Sequence, residues 1–216
     1  MLRIPEPEIM FDKDQALSYL KNSRDKPKNL FKFFYKQLLK DLDTGSIVDL
    51  GCGPGDLTIE IANLHNGVTI DGIDASQAMI NITNKDQPGV EFHCLPITSI
   101  TDNYDRVVSS MTLHHFHNPV EFWNTIKAIK PKDVFVFDLI RPEDEETLKG
   151  IIDNNGPYLN SIFQTDLENS LRAGFSITEI KEQLVKCNLP LTVTVISKDK
   201  TDPGIAIVSG ELIYGK

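Results

Sequence analysis

The chain has 216 residues, 40% of them hydrophobic, and a formal net charge of −9. That length supports one well-buried core, or at most two small ones, and the acidic balance argues against broad nucleic-acid binding, which needs a basic face. No run approaches the roughly 20 apolar residues of a membrane span, and the N-terminus, with Glu6, Glu8 and Asp12, lacks a signal peptide's basic and apolar regions. A cytoplasmic chain without stable membrane insertion is therefore expected. Three cysteines without pairing or metal spacing fit a reducing compartment.

Residues 1–44 are expected to form an N-terminal helical cap, because Lys28, Lys32, Lys36 and Lys40 share one helix face while Leu30, Phe31, Phe34 and Leu38 share another. Ile47 to Leu50 then read as an apolar strand running into Gly51-Cys52-Gly53-Pro54-Gly55. Glycines at every second position permit positive φ and let a ligand lie against the backbone. Asp56 starts a helix whose apolar periodicity, Leu57, Ile59, Ile61, Ala62 and Leu64, marks a buried face. Strand, glycine turn and helix start in this order describe a nucleotide-cofactor site. The dinucleotide fingerprint would need its third glycine at position 56, where this chain has Asp56, and that argues against NAD.

Val68 to Ile73 is a second strand, and it ends in Asp74, at the distance from the glycines where a carboxylate meets ribose hydroxyls in nucleotide-binding α/β folds. Ser76 opens the next helix, which leaves Asp74 and Ala75 in the loop at the sheet's carboxyl edge. Val90-Glu91-Phe92 begins a third strand, followed by Leu95-Pro96-Ile97; Pro96 has no N–H to donate, whereas Ile97 keeps one. Tyr104 to Ser110 is a fourth strand, and Asn118-Pro119 starts a helix over Val120 to Ile129. Lys132 to Ile140 is a fifth, followed by Arg141-Pro142 and an acidic helix start. Residues 143–172 hold no strand and break at Gly156-Pro157. Ser176 to Lys186 is a helix, after which Leu191 to Ile196 and Ile205 to Gly210 are two strands around Asp202-Pro203-Gly204. Such alternation implies an α/β, doubly wound fold: a mostly parallel sheet with helices on both faces.

The pattern Asp49-x-Gly51-x-Gly53-x-Gly55, followed at the right spacing by Asp74 and by Tyr104 to Phe116, resembles the class I S-adenosylmethionine-dependent methyltransferases, in their small-molecule branch. The resemblance implies a Rossmann-like, mostly parallel seven-stranded sheet closed by an antiparallel C-terminal hairpin. It implies a domain over residues 45–216 with a lid insertion at about 141–172 covering the acceptor. It further implies S-adenosylmethionine as cofactor, held by Asp49, Gly51, Cys52, Gly53, Gly55, Asp74, Ala75, Ile97 and Ser110, with Tyr19 able to cover the sulfonium or stack on adenine. The reaction implied is methyl transfer to a small-molecule acceptor. The alternative is a non-catalytic module that binds S-adenosylmethionine or its demethylated product and acts as a sensor or partner.

Attack on a sulfonium methyl needs alignment and exclusion of water, with a base only where the nucleophile carries a proton of high pKa. Residues just after the strands are the candidates. His114 and His115 follow the fourth strand and can act as base or acceptor ligand, since imidazole titrates near neutral pH. Arg141 follows the fifth and can hold a carboxylate or phosphate in a bidentate pair. Adjacent histidines on a short loop do not easily converge on one ion, so no metal is expected.

Overall fold

The computed structural model describes residues 1–6, 16, 17, 20, 44–65, 67–83, 87–156, 159–196 and 201–214. The helix expected around Lys28 to Lys40, most of the 1–44 cap including Tyr19, and also Pro157 and Tyr158 lie outside these residues. Seven strands form one sheet: β1 (Gly45–Leu50), β2 (Val68–Asp74), β3 (Val90–Cys94), β4 (Arg106–Ser110), β5 (Asp133–Leu139), β6 (Thr192–Ile196) and β7 (Ile205–Glu211). Their order is β3-β2-β1-β4-β5-β7-β6. The first five are parallel neighbours, while β7 runs antiparallel between β5 and β6. The expected sheet and its closing hairpin are both present.

Among the described residues six α-helices accompany it: α1 (Asp56–Leu64), α2 (Gln77–Ile82), α3 (Pro119–Ile129), α4 (Glu145–Asn155), α5 (Ser161–Ala173) and α6 (Ile177–Lys186). Their starts follow local chemistry. Ser76 caps α2 by accepting from the Met79 N–H, Pro119 occupies the first turn of α3, and Asp144 and Asn160 cap α4 and α5. Ser176 and Glu179 form a reciprocal capping box on α6.

Period-two alternation sends side chains to both faces of the sheet. On one face Val48, Leu50, Val107, Val134 and Val136 pack with Phe122, Trp123 and Ile126 of α3 and with Ile180 and Leu184 of α6. Trp123 is fully buried, and its indole N–H donates to Gln183 Oε1 at 2.9 Å, so the polar edge of the ring is satisfied. On the other face Ile47, Ile70, Phe135, Phe137 and Leu139 pack with Leu57 and Ile61 of α1 and with Leu148, Ile151 and Leu171 of α4 and α5.

Two expectations change. The inner face of α1 is Leu57, Thr58, Ile61 and Ala62, while Leu64 is 50% exposed. A polar residue takes an inner position because it serves Asp49, described below. The strandless 141–172 segment, expected as a lid, places Leu148, Ile151 and Leu171 in the sheet core, so much of it is a packed layer. Among the described residues no helix is long and apolar enough to cross a membrane.

Candidate functional site

The parallel strands β1, β2 and β4 end side by side, and the glycine turn lies at that carboxyl edge, where ligands bind in open α/β sheets. Gly51, Gly53 and Gly55 all have positive φ, at 74°, 54° and 80°. The three glycines have different reasons. A Cβ on Gly51 would stand 2.2 Å from Thr112 Oγ1, and one on Gly55 would stand 2.5 Å from the Phe92 ring. At Gly53 an added Cβ would meet no atom of the described residues within 4 Å. Gly51 and Gly55 therefore permit close packing, and Gly53 borders space that no described residue fills.

The turn is anchored from below. The N–H groups of Gly51 and Cys52 both donate to the Ile73 carbonyl, at 2.8 and 3.0 Å, and the Gly55 N–H donates to the Cys52 carbonyl at 3.0 Å. Thr112, which sequence reading did not single out, donates its hydroxyl to the Gly51 carbonyl at 3.2 Å. The Cys52 side chain is buried; its N–H is bonded to β2 and its C=O within the turn, and burial pushes its thiol well above the usual range.

Asp74, the last residue of β2, accepts the Gly53 N–H on Oδ2 at 2.8 Å and the Ser76 N–H on Oδ1 at 2.7 Å. Burial moves its carboxyl upward, against the lowering effect of those two bonds. Each carboxylate oxygen has a second lone pair, so the group can still accept from hydroxyls. Ala75 follows it, half-buried, with its carbonyl 3.7 Å from Cys94 Sγ. Ile97 lies in the first turn of a short 3-10 helix (Ile97–Ser99), its side chain in the core and its backbone among the orphan N–H groups of a helix start. Ser110 ends β4, and its carbonyl accepts from Thr112 Oγ1 at 3.0 Å.

Asp49 is 1% exposed. Thr58 of α1 donates to its Oδ2 at 2.7 Å, whereas its Oδ1 is buried without a partner among the described residues. Burial pushes the carboxyl up to about 7; the Thr58 bond opposes this, and the nearby Asp74 adds to it. A buried acid one residue from the glycine turn with a free acceptor suits a cationic or hydrogen-bonding ligand group. The unfilled space at Gly53, the orphaned Asp49 oxygen and the Asp74 carboxylate together fit an amino-acid-bearing nucleoside.

The second cluster lies where β4 and β5 end. A 3-10 turn (Leu113–His115) buries His114, whose Nδ1 is 2.5 Å from Asp138 Oδ1 and whose Nε2 is 3.1 Å from Glu6 Oε1. Burial alone would lower this imidazole, but Asp138 and Glu6 outweigh it and raise its pKa to about 10. His115 is half-buried, with Nδ1 3.5 Å from Glu6 Oε1. Glu6 was invisible to sequence reading, as were Arg3 contacts to the carbonyls of Ala173, His114 and Phe116 and its stacking over Phe175. The Arg141 guanidinium donates to the Gly174 carbonyl at 2.9 Å and to Glu179 Oε2 at 2.8 Å, fastening the start of α6 to the end of β5. Its polar contacts are with the protein.

Residues 47–131 match the family described as a methyltransferase domain. Among curated relatives, the chain is 46% identical over 55 residues to trans-aconitate 2-methyltransferase of Delftia acidovorans, covering 26% of this chain and 20% of that one. It is 27% identical over 108 residues to malonyl-[acyl-carrier protein] O-methyltransferase of Halalkalibacterium halodurans, covering 45% and 40%. The chain thus spans well under two thirds of the length of these relatives. Among solved structures, the plantazolicin methyltransferase BpumL in complex with SAH superposes with a TM-score of 0.67 at 17% identity, covering 92% of this chain and 94% of that one.

Proposed function

We propose that this chain, whose residues 47–131 match a methyltransferase domain, is a class I S-adenosylmethionine-dependent methyltransferase that transfers a methyl group from S-adenosylmethionine to a small-molecule acceptor. The observation that carries the reading is the glycine turn: Gly53 borders space that no described residue fills at the sheet's carboxyl edge, and Asp74 fixes its N–H from the end of the next strand. When bound, S-adenosylmethionine supplies an electrophilic methyl on a sulfonium with a good leaving group.

The chain's own residues supply position. Asp74, with Ala75 beside it, faces the ribose hydroxyls, and Ile97 meets the adenine through backbone and apolar contact. Asp49 offers its orphaned oxygen to the amino-acid end, through the turn of Gly51, Gly53 and Gly55. Ser110 and Met111 continue the edge toward the acceptor. His115, on the half-exposed side of its turn, is the candidate base or acceptor ligand, and buried His114 holds that turn in place through Asp138. The relatives' names cover an organic acid, an acyl-carrier protein and plantazolicin, so the shared part is the cofactor half of the site.

Isothermal titration with S-adenosylmethionine, S-adenosylhomocysteine and NAD tests the reading. Binding of both sulfur nucleosides, with NAD absent or much weaker, supports it. NAD binding more tightly than either overturns it.

A further inference from the structure

The N-terminal residues bring a carboxylate to the two adjacent histidines after β4. Glu6 Oε1 lies 3.1 Å from His114 Nε2 and 3.5 Å from His115 Nδ1, and all three atoms lie within 4.8 Å of one another. An ion bound at about 2.1 Å by tetrahedral ligands holds them about 3.4 Å apart, and the two shorter separations straddle that figure. The 3-10 turn brings the two rings close, with centroids 4.4 Å apart and the planes tilted by 31°.

The surroundings are those of a supported ligand. His114 Nδ1 faces Asp138 Oδ1, and Asp138 Oδ2 accepts the His114 backbone N–H at 3.0 Å. A carboxylate behind a histidine in this way fixes tautomer and ring plane in metal sites and raises ligand basicity. Ser170 donates to Glu6 Oε1 at 3.1 Å, steadying the carboxylate. Arg3 points donors at the backbone carbonyls of Ala173, His114 and Phe116. The side chains of His114 and Glu6 are buried, and that of His115 is 30% exposed, which leaves a path from solvent.

We propose that Glu6, His114 and His115 bind a divalent transition-metal ion, zinc foremost, through one carboxylate oxygen and two imidazole nitrogens, the fourth position of a tetrahedral ion going to a further ligand. Two nitrogens and one oxygen suit a borderline ion of this kind better than magnesium or calcium, which take oxygen ligands. The proton shared between His114 Nε2 and Glu6 leaves as the ion binds, so the exchange is balanced. The ion ties the N-terminal residues to a turn more than a hundred positions away. On the methyl-transfer reading, from which this role follows, the fourth position takes an acceptor oxygen or nitrogen at the edge of the site.

The test uses the untagged full chain. Metal content is measured by elemental mass spectrometry after dialysis against zinc, and Co2+ is titrated with visible absorption as readout. The expected results are one equivalent of zinc and Co2+ bands of a four-coordinate site. Glu6→Gln and His115→Gln should each weaken binding by about tenfold or more. His93→Gln, in the second histidine–carboxylate group with Asp71 and Glu91, should change nothing. His115 is half-exposed, so its variant tests the site without depending on the buried His114. Absence of Co2+ uptake, uptake by both ligand variants equal to that of the wild type, or loss in His93→Gln overturns the proposal. S-adenosylhomocysteine titrated into the same samples keeps the two readings separate: uptake of metal without nucleoside binding sinks only the cofactor reading, and the reverse sinks only the metal site.

Discussion

Asp74 Oδ2 accepts the Gly53 N–H at 2.8 Å, joining the end of one strand to the middle of the glycine turn after its neighbour. The same carboxylate also holds the Ser76 N–H at the start of α2. One side chain therefore sets the turn and the next helix start while standing at the ribose position of the proposed cofactor. Asp74→Ala removes both backbone acceptors and should weaken S-adenosylhomocysteine binding by about 30- to 1000-fold, or roughly 2 to 4 kcal/mol. Asp71→Ala, three positions earlier in β2 and bonded to the Tyr104 hydroxyl at 2.6 Å, should alter affinity far less. Titration calorimetry on the two variants decides; equal losses would show that Asp74 has no special part in binding.

The glycines separate folding from binding. Gly53→Ala places a side chain at φ 54°, where a non-glycine residue costs about 1 to 2 kcal/mol, but it clashes with nothing described. It should fold, lose a few degrees of melting temperature, and bind S-adenosylhomocysteine poorly because the new methyl enters the unfilled space. Gly51→Ala adds overlap with Thr112 to the same backbone cost and should lose about 2 to 5 kcal/mol of stability. Melting temperatures and affinities measured together check the contrast. A Gly53→Ala protein with unchanged affinity would remove Gly53 from the ligand face.

What the sequence made legible was local. Strand, glycine turn and helix start at residues 47–56, and the carboxylate at the end of β2, are set by φ preferences and short-range hydrogen bonds, so spacing alone locates them. Thr58 was partly readable, as a polar residue within an apolar helix pattern that faces a buried acid. Only the fold tells which side of the turn the Cys52 side chain takes, and it is buried there. Glu6 with His114, and Arg141 with Glu179, were not legible, because their partners are brought together by the order of β4, β5 and α6 around the sheet edge. Nothing periodic in the chain marks such pairs.

Arg141 illustrates the difference. Its guanidinium is inside the protein, bonded to the Gly174 carbonyl and to Glu179, which is itself in the capping box of α6. Arg141→Ala should lower unfolding free energy by about 1 to 3 kcal/mol, the lower end reflecting the partial exposure of Glu179. Arg141→Lys should recover only part of this, since an ammonium cannot reproduce the two-pronged contact. Chemical denaturation measures both, and S-adenosylhomocysteine affinity should stay near wild type. Unchanged stability in Arg141→Ala would leave the arginine available for an acceptor anion, as the sequence suggested.

Asp49 gives the pH dependence its sign. Burial, only partly offset by the Thr58 bond, raises its carboxyl from 3.8 to about 7. A group whose folded pKa is raised contributes stability that is fully present below the unfolded value and lost as pH rises through the folded one. Three units correspond to about 4 kcal/mol between pH 4 and pH 8, as an upper figure. Without ligand, the protein should thus become less stable across that window, and Asp49→Asn, which does not titrate, should flatten the Asp49 contribution. Denaturant melts of both proteins at pH 5, 6, 7 and 8 give the difference curve. A second consequence follows from the orphaned Oδ1 beside the glycine turn. If it meets the ammonium of the cofactor's amino-acid end, S-adenosylhomocysteine should bind more tightly as pH rises through about 7, where the carboxylate forms, and Asp49→Asn should lose that dependence. Parallel stability curves for the two proteins would refute the raised pKa, and identical pH profiles of affinity would separate Asp49 from the ligand.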